Sequence, residues 1–104
     1  MPVVVVASLT AKPESVETVL EILTKTVADV QQEPGCEFYG LHRAENTFVF
    51  IEQWADADAL RTHGSAPAVT GMFTELRDHL DGPPEMKLLE PVPAGDPAKG
   101  RLAP

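Results

Sequence analysis

The run from Val3 to Leu9 is apolar on both of its alternating faces. One parity carries Val3, Val5, Ala7 and Leu9, and the other carries Val4 and Val6. Successive side chains of a strand point to opposite faces, and an antiparallel sheet with one solvated face alternates apolar with polar residues. A sheet that contains this strand must therefore be covered on both of its faces.

The next part of the chain predicts a helix and a β-hairpin. Residues 16–30 carry apolar side chains at helical spacing, and Pro34-Gly35 then ends the helix. Residues 36–43 and 48–54 have the composition of two antiparallel strands. Residues 44–46 are the candidate turn between them, and Asn46 is able to take the left-handed conformation there.

The second half of the chain predicts a short helix, a long helix and a last strand. Asp56 is a suitable N-cap for a helix through Leu60, and Gly64-Ser65 ends it. His79 is expected in the last turn of the long helix, and residues 86–92 form the last strand. The long helix carries Val69, Met72, Phe73, Leu76 and Leu80 on one face.

This order is β-α-β-β-α-β, the ferredoxin-like α+β arrangement, with both main helices on one face of an antiparallel sheet. The helices can cover only one face, so the second apolar face predicts a homodimer packed sheet to sheet. We expect one domain over residues 1–92. Residues 93–104 are rich in Pro, Ala and Gly and predict a flexible C-terminal tail.

Charge and cysteine content restrict the partners. The formal net charge of −8 argues against nucleic-acid binding and against attraction to anionic membranes. The single cysteine, Cys36, allows no internal disulfide and favours a reducing cytoplasm. The apolar N-terminal run is too short for a signal peptide or a membrane span. No metal-ligand spacing or nucleotide fingerprint is visible, so we expect no cofactor.

Three side chains stand out as candidates for chemistry. Glu52 and Trp54 are two residues apart and share one face of their strand. Glu52 is either a structural partner of an arginine (Arg43, Arg61 or Arg77) or a base or anchor for a substrate hydroxyl. Trp54 is either a core anchor or an aromatic wall for a flat ligand. His63 follows the short helix and is either a solvated loop residue or a general base.

The order of these residues resembles one known family. The pattern is similar to that of the antibiotic biosynthesis monooxygenase family of small dimeric α+β barrels. It consists, in order, of Glu33-Pro34-Gly35-Cys36, Tyr39, the strand with Glu52 and Trp54, Ala59-Leu60 and His63. The resemblance covers roughly residues 2–92.

The resemblance implies a pocket between the sheet and the helices and oxidation of electron-rich aromatics by O₂ without metal or flavin. It implies His63 as the base, Ser8 as the polar group that holds an oxyanion, and Trp54 as the pocket wall. Family members often carry asparagine where Ser8 stands. A haem-degrading branch has an iron-ligating histidine where Phe73 stands, which disfavours haem. The substrate-binding residues expected are Glu52, Tyr39, Phe50, Met72 and Phe73.

We therefore expect a cofactor-independent monooxygenase that oxidises a quinol-like or polyketide-like aromatic. Its partners are the aromatic substrate, O₂ and a second copy of the chain. Two alternatives remain open on the same fold: an isomerase or processing enzyme for a small carbonyl metabolite, and a non-catalytic dimeric ligand-binding module.

Overall fold

The computed structural model describes residues 1–103 as four strands and three α-helices. The elements are β1 (Val3–Thr10), α1 (Val16–Gln31), β2 (Cys36–Ala44), β3 (Thr47–Trp54), α2 (Ala57–Gly64), α3 (Pro67–Leu76) and β4 (Glu85–Leu89), with a 3₁₀ turn (Pro13–Ser15) before α1. The predicted ferredoxin-like order is confirmed, with α2 inserted between β3 and α3.

The four strands form one antiparallel sheet in the order β2-β3-β1-β4. The two strands with apolar residues on both faces, β1 and β3, lie at its centre, where each pairs with a neighbouring strand along both of its edges. Their register places Val5 opposite Glu52 and Ala7 opposite Phe50. These four residues therefore share one face of the sheet.

That face is the helix-covered face and holds the hydrophobic core. Val5, Leu9 and Phe48 of the sheet are buried there, as are Val19 and Leu23 of α1. On the opposite face, Gln53 is buried, and the other residues of that parity are only partly buried in the single chain: Val4, Val6, Ser8, Val49 and Ile51. Within the single chain the helices thus cover one face of the sheet, and the double-sided apolar pattern leaves the other face in need of cover.

Helix α2 is longer than predicted. Asp56 caps it as expected, since its Oδ1 accepts a hydrogen bond of 2.8 Å from the Ala59 amide. The helix continues through Gly64, so His63 lies in its last turn and is not a loop residue. Glycine at the last helical position costs little, because it is the following residues that must leave the helix.

Helix α3 is shorter than predicted and ends at Leu76. Leu80 forms an isolated bridge with Ala11, and the carbonyl of His79 accepts a hydrogen bond from the Lys12 amide. The predicted place of His79 in the last helical turn is therefore wrong. The backbone groups of His79 and Leu80 pair with the segment after β1, so they are not available for the hydrogen bonds of a longer helix.

The hairpin turn and the last strand also differ from the prediction. Glu45, not Asn46, takes the left-handed conformation, with φ of 55°. Asn46 instead fixes the segment after β1, because its side chain donates to the Ala11 carbonyl at 3.1 Å. Strand β4 ends at Leu89 instead of residue 92.

Two further features bear on the termini and on membranes. Residues 90–103 form no helix or strand, and Pro104, the last residue of the predicted tail, lies outside the described residues. Within residues 1–103, the helices are too short or too polar to cross a bilayer.

Candidate functional site

A cavity of about 630 Å³ opens between the helix-covered face of the sheet and helices α2 and α3. Its volume falls in the range of pockets that hold small organic ligands. It brings together six of the eight residues that the sequence singles out: Tyr39, Phe50, Glu52, His63, Met72 and Phe73.

The sheet register explains why three of these residues converge. Tyr39 of β2 lies opposite Glu52 of β3, and Leu41 lies opposite Phe50. Glu52 and Phe50 are two residues apart, so they point to the same face. The aromatic rings of Tyr39 and Phe50 stack with their centroids 4.7 Å apart, which gives the floor of the cavity a flat apolar surface.

The other two residues lie elsewhere. Ser8 is on the opposite face of the sheet, since its neighbours Ala7 and Leu9 line the cavity. Trp54 is fully buried on the same face as Glu52 but outside the cavity lining. The structure thus places Ser8 away from any ligand in this cavity and Trp54 behind the cavity wall.

His63 lies between two carboxyl groups. Its Nδ1 is 2.9 Å from Oε1 of Glu33, and its Nε2 is 3.8 Å from Oε1 of Glu52. The first distance is a hydrogen bond, and the second is too long for one. Both ends of the imidazole therefore face a potential proton donor or acceptor, in a residue that is only 8% exposed.

Glu52 has a partner other than the arginines considered from the sequence. Its Oε1 accepts a hydrogen bond of 2.9 Å from the Trp54 indole nitrogen. Arg43 donates instead to the carbonyl of Glu45, and Arg61 pairs with Asp58. An arginine partner is therefore wrong for Arg43 and Arg61, because both side chains are engaged at the surface.

Burial dominates the electrostatics of the cavity wall. Loss of solvation raises the pKa of Glu52, the Trp54 hydrogen bond and the nearby His63 offset part of that rise, and the charge of Glu33 adds to it. Burial also raises the pKa of Tyr39, with the charges of Glu52 and Glu33 as smaller causes. Glu52 can thus keep a proton at a pH where an exposed glutamate has lost it.

Aromatic contacts fix the His63 ring. The Trp54 ring lies beside it with a centroid distance of 4.3 Å and a tilt of 32°. The Tyr39 ring meets it edge to face at 5.7 Å. The imidazole is therefore confined by packing as well as by its hydrogen bond to Glu33.

Glu33 belongs to the pattern that carries the family resemblance, but the sequence indicated no role for it in the site. It follows α1, and its contact with His63 spans 30 positions. One signal was available: a carboxylate near a helix C-terminus opposes the helix dipole. A residue that breaks a local preference is a reason to look for a partner elsewhere.

The remaining histidines and the cysteine lie outside the cavity lining. His42 is exposed on β2, and Nδ1 of His79 is 3.0 Å from the Ser15 hydroxyl. Cys36 is half-buried, and burial raises the pKa of its thiol. Within residues 1–103, no three His, Cys, Asp or Glu side chains are grouped as ligands for a metal ion.

Comparison with known proteins shows which family this chain matches. Residues 2–75 match the family model for antibiotic biosynthesis monooxygenase. A solved structure named antibiotic biosynthesis monooxygenase is 31% identical, with a TM-score of 0.82 over 88% of this chain and 99% of that chain. PA3566 from Pseudomonas aeruginosa is 28% identical, with a TM-score of 0.79 over 85% of this chain and 91% of that chain.

Two further relatives extend the comparison. Rv0793 from Mycobacterium tuberculosis is 21% identical and shares the fold, with a TM-score of 0.85 over 92% of this chain and 100% of that chain. Protein sll1783 of Synechocystis sp. is 29% identical over 90 residues, which is 84% of this chain and 61% of that protein. The chain therefore spans about three fifths of the length of this curated relative.

Proposed function

We propose that this chain, which belongs to the antibiotic biosynthesis monooxygenase family, oxidises a quinol-like or polyketide-like aromatic with O₂ and without a bound cofactor. One observation carries the proposal: a buried imidazole and a buried carboxyl group face each other at the wall of a mostly apolar cavity. Such a pair can take a proton from a bound phenol or activated CH₂ group in a site with little water.

The reaction starts with proton abstraction by His63. A deprotonated quinol or anthrone is reducing enough to pass one electron to O₂, and the resulting superoxide and substrate radical combine to a peroxide on carbon. His63 or its conjugate acid then assists loss of water. For a CH₂ group, the balance is CH₂ plus O₂ giving C=O plus H₂O, so the substrate supplies all the electrons.

Glu52 is suited to stabilise the developing oxyanion. Its raised pKa allows a protonated carboxyl group, which donates a hydrogen bond to a substrate oxygen at the cavity wall. The Trp54 indole nitrogen donates a hydrogen bond to Oε1 of Glu52 and so holds the carboxyl group in place. We assign this role to Glu52 instead of Ser8, because Ser8 lies on the other face of the sheet.

The apolar lining is suited to a flat ring system. Tyr39 and Phe50 present a stacked aromatic floor, and Met72 and Phe73 of α3 close the opposite side. Aromatic rings bind flat aromatic ligands by offset stacking and by removing apolar surface from water. In this arrangement Trp54 orients His63 and Glu52, and Tyr39 and Phe50 are the groups that contact substrate.

The assembly proposed for this activity is a homodimer in which residues 1–92 form the catalytic domain. The partly buried apolar residues on the open face of the sheet support it. The single cysteine suits a reducing cytoplasm.

The test is O₂ uptake with a panel of quinols and anthrones. We expect one O₂ consumed per oxidised CH₂ group, activity that survives EDTA and exhaustive dialysis, and a large loss in His63→Gln. Activity that is lost on dialysis and restored by a metal ion or a flavin would overturn the cofactor-free proposal. Absence of O₂ uptake with every member of the panel would overturn the monooxygenase.

One observation also favours the isomerase as the second candidate. His63 Nε2 and Glu52 Oε1 are 3.8 Å apart, a spacing that lets one group remove a proton from a carbonyl compound while the other returns it to a neighbouring atom. Turnover under nitrogen, with solvent deuterium entering the product, would identify this reaction. Tight binding of an aromatic ligand with no turnover in either assay would identify a binding module.

A further inference from the structure

We propose that Glu33 is a positioning residue for His63, one that accepts a hydrogen bond from Nδ1–H and so leaves Nε2 unprotonated on the side of Glu52. The consequence for catalysis rests on the proposed function, since an unprotonated Nε2 is what a base at the cavity wall needs. The assignment of the proton does not rest on it, because the assignment follows from the contact between Nδ1 and a carboxylate oxygen, which accepts hydrogen bonds.

The contact is short and shielded from water. Glu33 Oε1 and His63 Nδ1 are 2.9 Å apart, with the side chains 16% and 9% exposed. A carboxylate only accepts hydrogen bonds, so Nδ1 must be the donor. The neutral imidazole then carries its lone pair on Nε2. The other groups packed against the ring are Glu52 and Trp54 of β3 and Tyr39 of β2.

The turn after α1 positions Glu33 beside His63. Gly35 has φ of 84°, and an added Cβ there would lie 2.5 Å from the Cβ of Ala59. The Gly35 carbonyl accepts a hydrogen bond of 2.8 Å from the Ala55 amide. Ala59 and His63 are four residues apart and so lie on one side of α2. The turn that packs on Ala59 therefore sets Glu33 beside His63.

A purely structural role does not explain Glu33, because the residue lowers the stability of the fold in two ways. Its second oxygen, Oε2, is buried without a hydrogen-bond partner among the described residues, and a buried unsatisfied polar atom costs stability. The carboxylate also stands near the C-terminal end of α1, where the helix dipole disfavours it. Natural proteins accept such losses of stability mainly at functional sites, so both features favour a functional role for Glu33.

The experiment is ¹⁵N NMR of the His63 imidazole in the full chain. We expect the Nδ1–H tautomer in the wild type. Glu33→Met keeps the length of the side chain but removes the acceptor, so the Nε2–H tautomer should gain population and kcat should fall roughly 10- to 100-fold, with KM little changed. Glu33→Gln keeps an acceptor oxygen and should retain more of the Nδ1–H tautomer than Glu33→Met.

Glu21→Met is the matched control, because Glu21 is exposed on α1 and its change should leave both the tautomer and kcat as they are. A wild type in the Nε2–H tautomer, or an unchanged tautomer in Glu33→Met, would overturn the positioning role. The wild-type spectrum decides even if Glu33→Met does not fold. A tautomer shift in a protein that consumes no O₂ with any substrate would support the positioning role and overturn the monooxygenase instead.

Discussion

His63 is both a catalytic candidate and part of the packed interior, so its replacement should affect activity and stability together. In His63→Ala, we expect kcat to fall by roughly 10²-fold or more. We also expect the free energy of unfolding to fall by about 1–3 kcal/mol, because Glu33 loses its hydrogen-bond partner in a buried site. A loop histidine, as the sequence indicated, would have left stability nearly unchanged. Steady-state kinetics and urea unfolding measure the two effects, and unchanged kcat with reduced stability would make His63 a structural residue.

Glu52 should give the stability of the protein a characteristic pH dependence. Its pKa is raised above the ordinary value of 4.5, chiefly by burial, so the native state binds a proton that the unfolded chain has released. The free energy of unfolding therefore falls as the pH rises from about 4.5 through the raised pKa, and it levels off above that pKa. Glu52→Gln removes this contribution, so its stability relative to wild type should increase over the same pH window. Urea unfolding from pH 4 to 8 tests this, and parallel curves for the two proteins would contradict it.

The site residues differ in how far the sequence could predict them. Glu52 and Tyr39 follow from strand periodicity, since alternation fixes which face each side chain takes. Ser8 is assigned to the other face by the same rule, so only the family resemblance pointed to it. Glu33 depends on a contact across 30 positions, and no local pattern specifies where a helix-terminal carboxylate ends up in the folded chain.

At the scale of elements, the turn between α1 and β2 should be more sensitive to substitution than its composition suggests. Gly35 and Gly82 both have φ of 84°, but only at Gly35 would an added Cβ meet a neighbour, the Ala59 Cβ at 2.5 Å. Gly82→Ala should lower the free energy of unfolding by about 1–2 kcal/mol, because alanine is strained in the left-handed conformation. Gly35→Ala should cost more, and Ala59→Gly in the same chain should recover part of the difference. Equal losses in the two glycine variants would show that the turn does not pack tightly on α2.

The elements themselves were predictable where a pattern is long and strongly periodic. The stripe of α1 and the apolar parities of β1 and β3 identified these elements and their order. The ends were not predictable in the same way. Leu80 continues the helical spacing of α3 but pairs with Ala11, because its backbone gains a tertiary hydrogen-bonding partner that no local sequence signal reveals.

At the scale of the whole molecule, the C-terminal tail should contribute little to stability. Residues 93–103 form no helix or strand, and the hydrogen bonds of Ala98, Lys99 and Gly100 all go to Asp96. Truncation after Val92 should therefore change the free energy of unfolding by less than about 1 kcal/mol. Thermal and urea unfolding of the truncated and full chains measure this. A larger loss would mean that the tail packs on a partner subunit.

The two faces of the sheet lead to the last prediction, which concerns assembly. Val6 and Ile51 are paired residues of the central strands on the face opposite the helices, and both are only partly buried in one chain. A second copy packed on this face would remove them from water, and burial of apolar surface stabilises association by about 25 cal/mol per Å² before the costs of binding. We expect light scattering to report twice the chain mass of 11.2 kDa.

Val6→Arg places a charge in the centre of that face, where the proposed partner leaves it buried and unpaired, at a cost of several kcal/mol. It should yield monomers or unfolded protein, whereas Thr18→Arg, at an exposed position of α1, should remain dimeric. A wild type that is monodisperse at 11.2 kDa would show that the open face does not mediate dimerisation. A Val6→Arg protein that stays folded and dimeric would place the interface on another surface, such as the edge strand β4 with its exposed Met86 and Leu88.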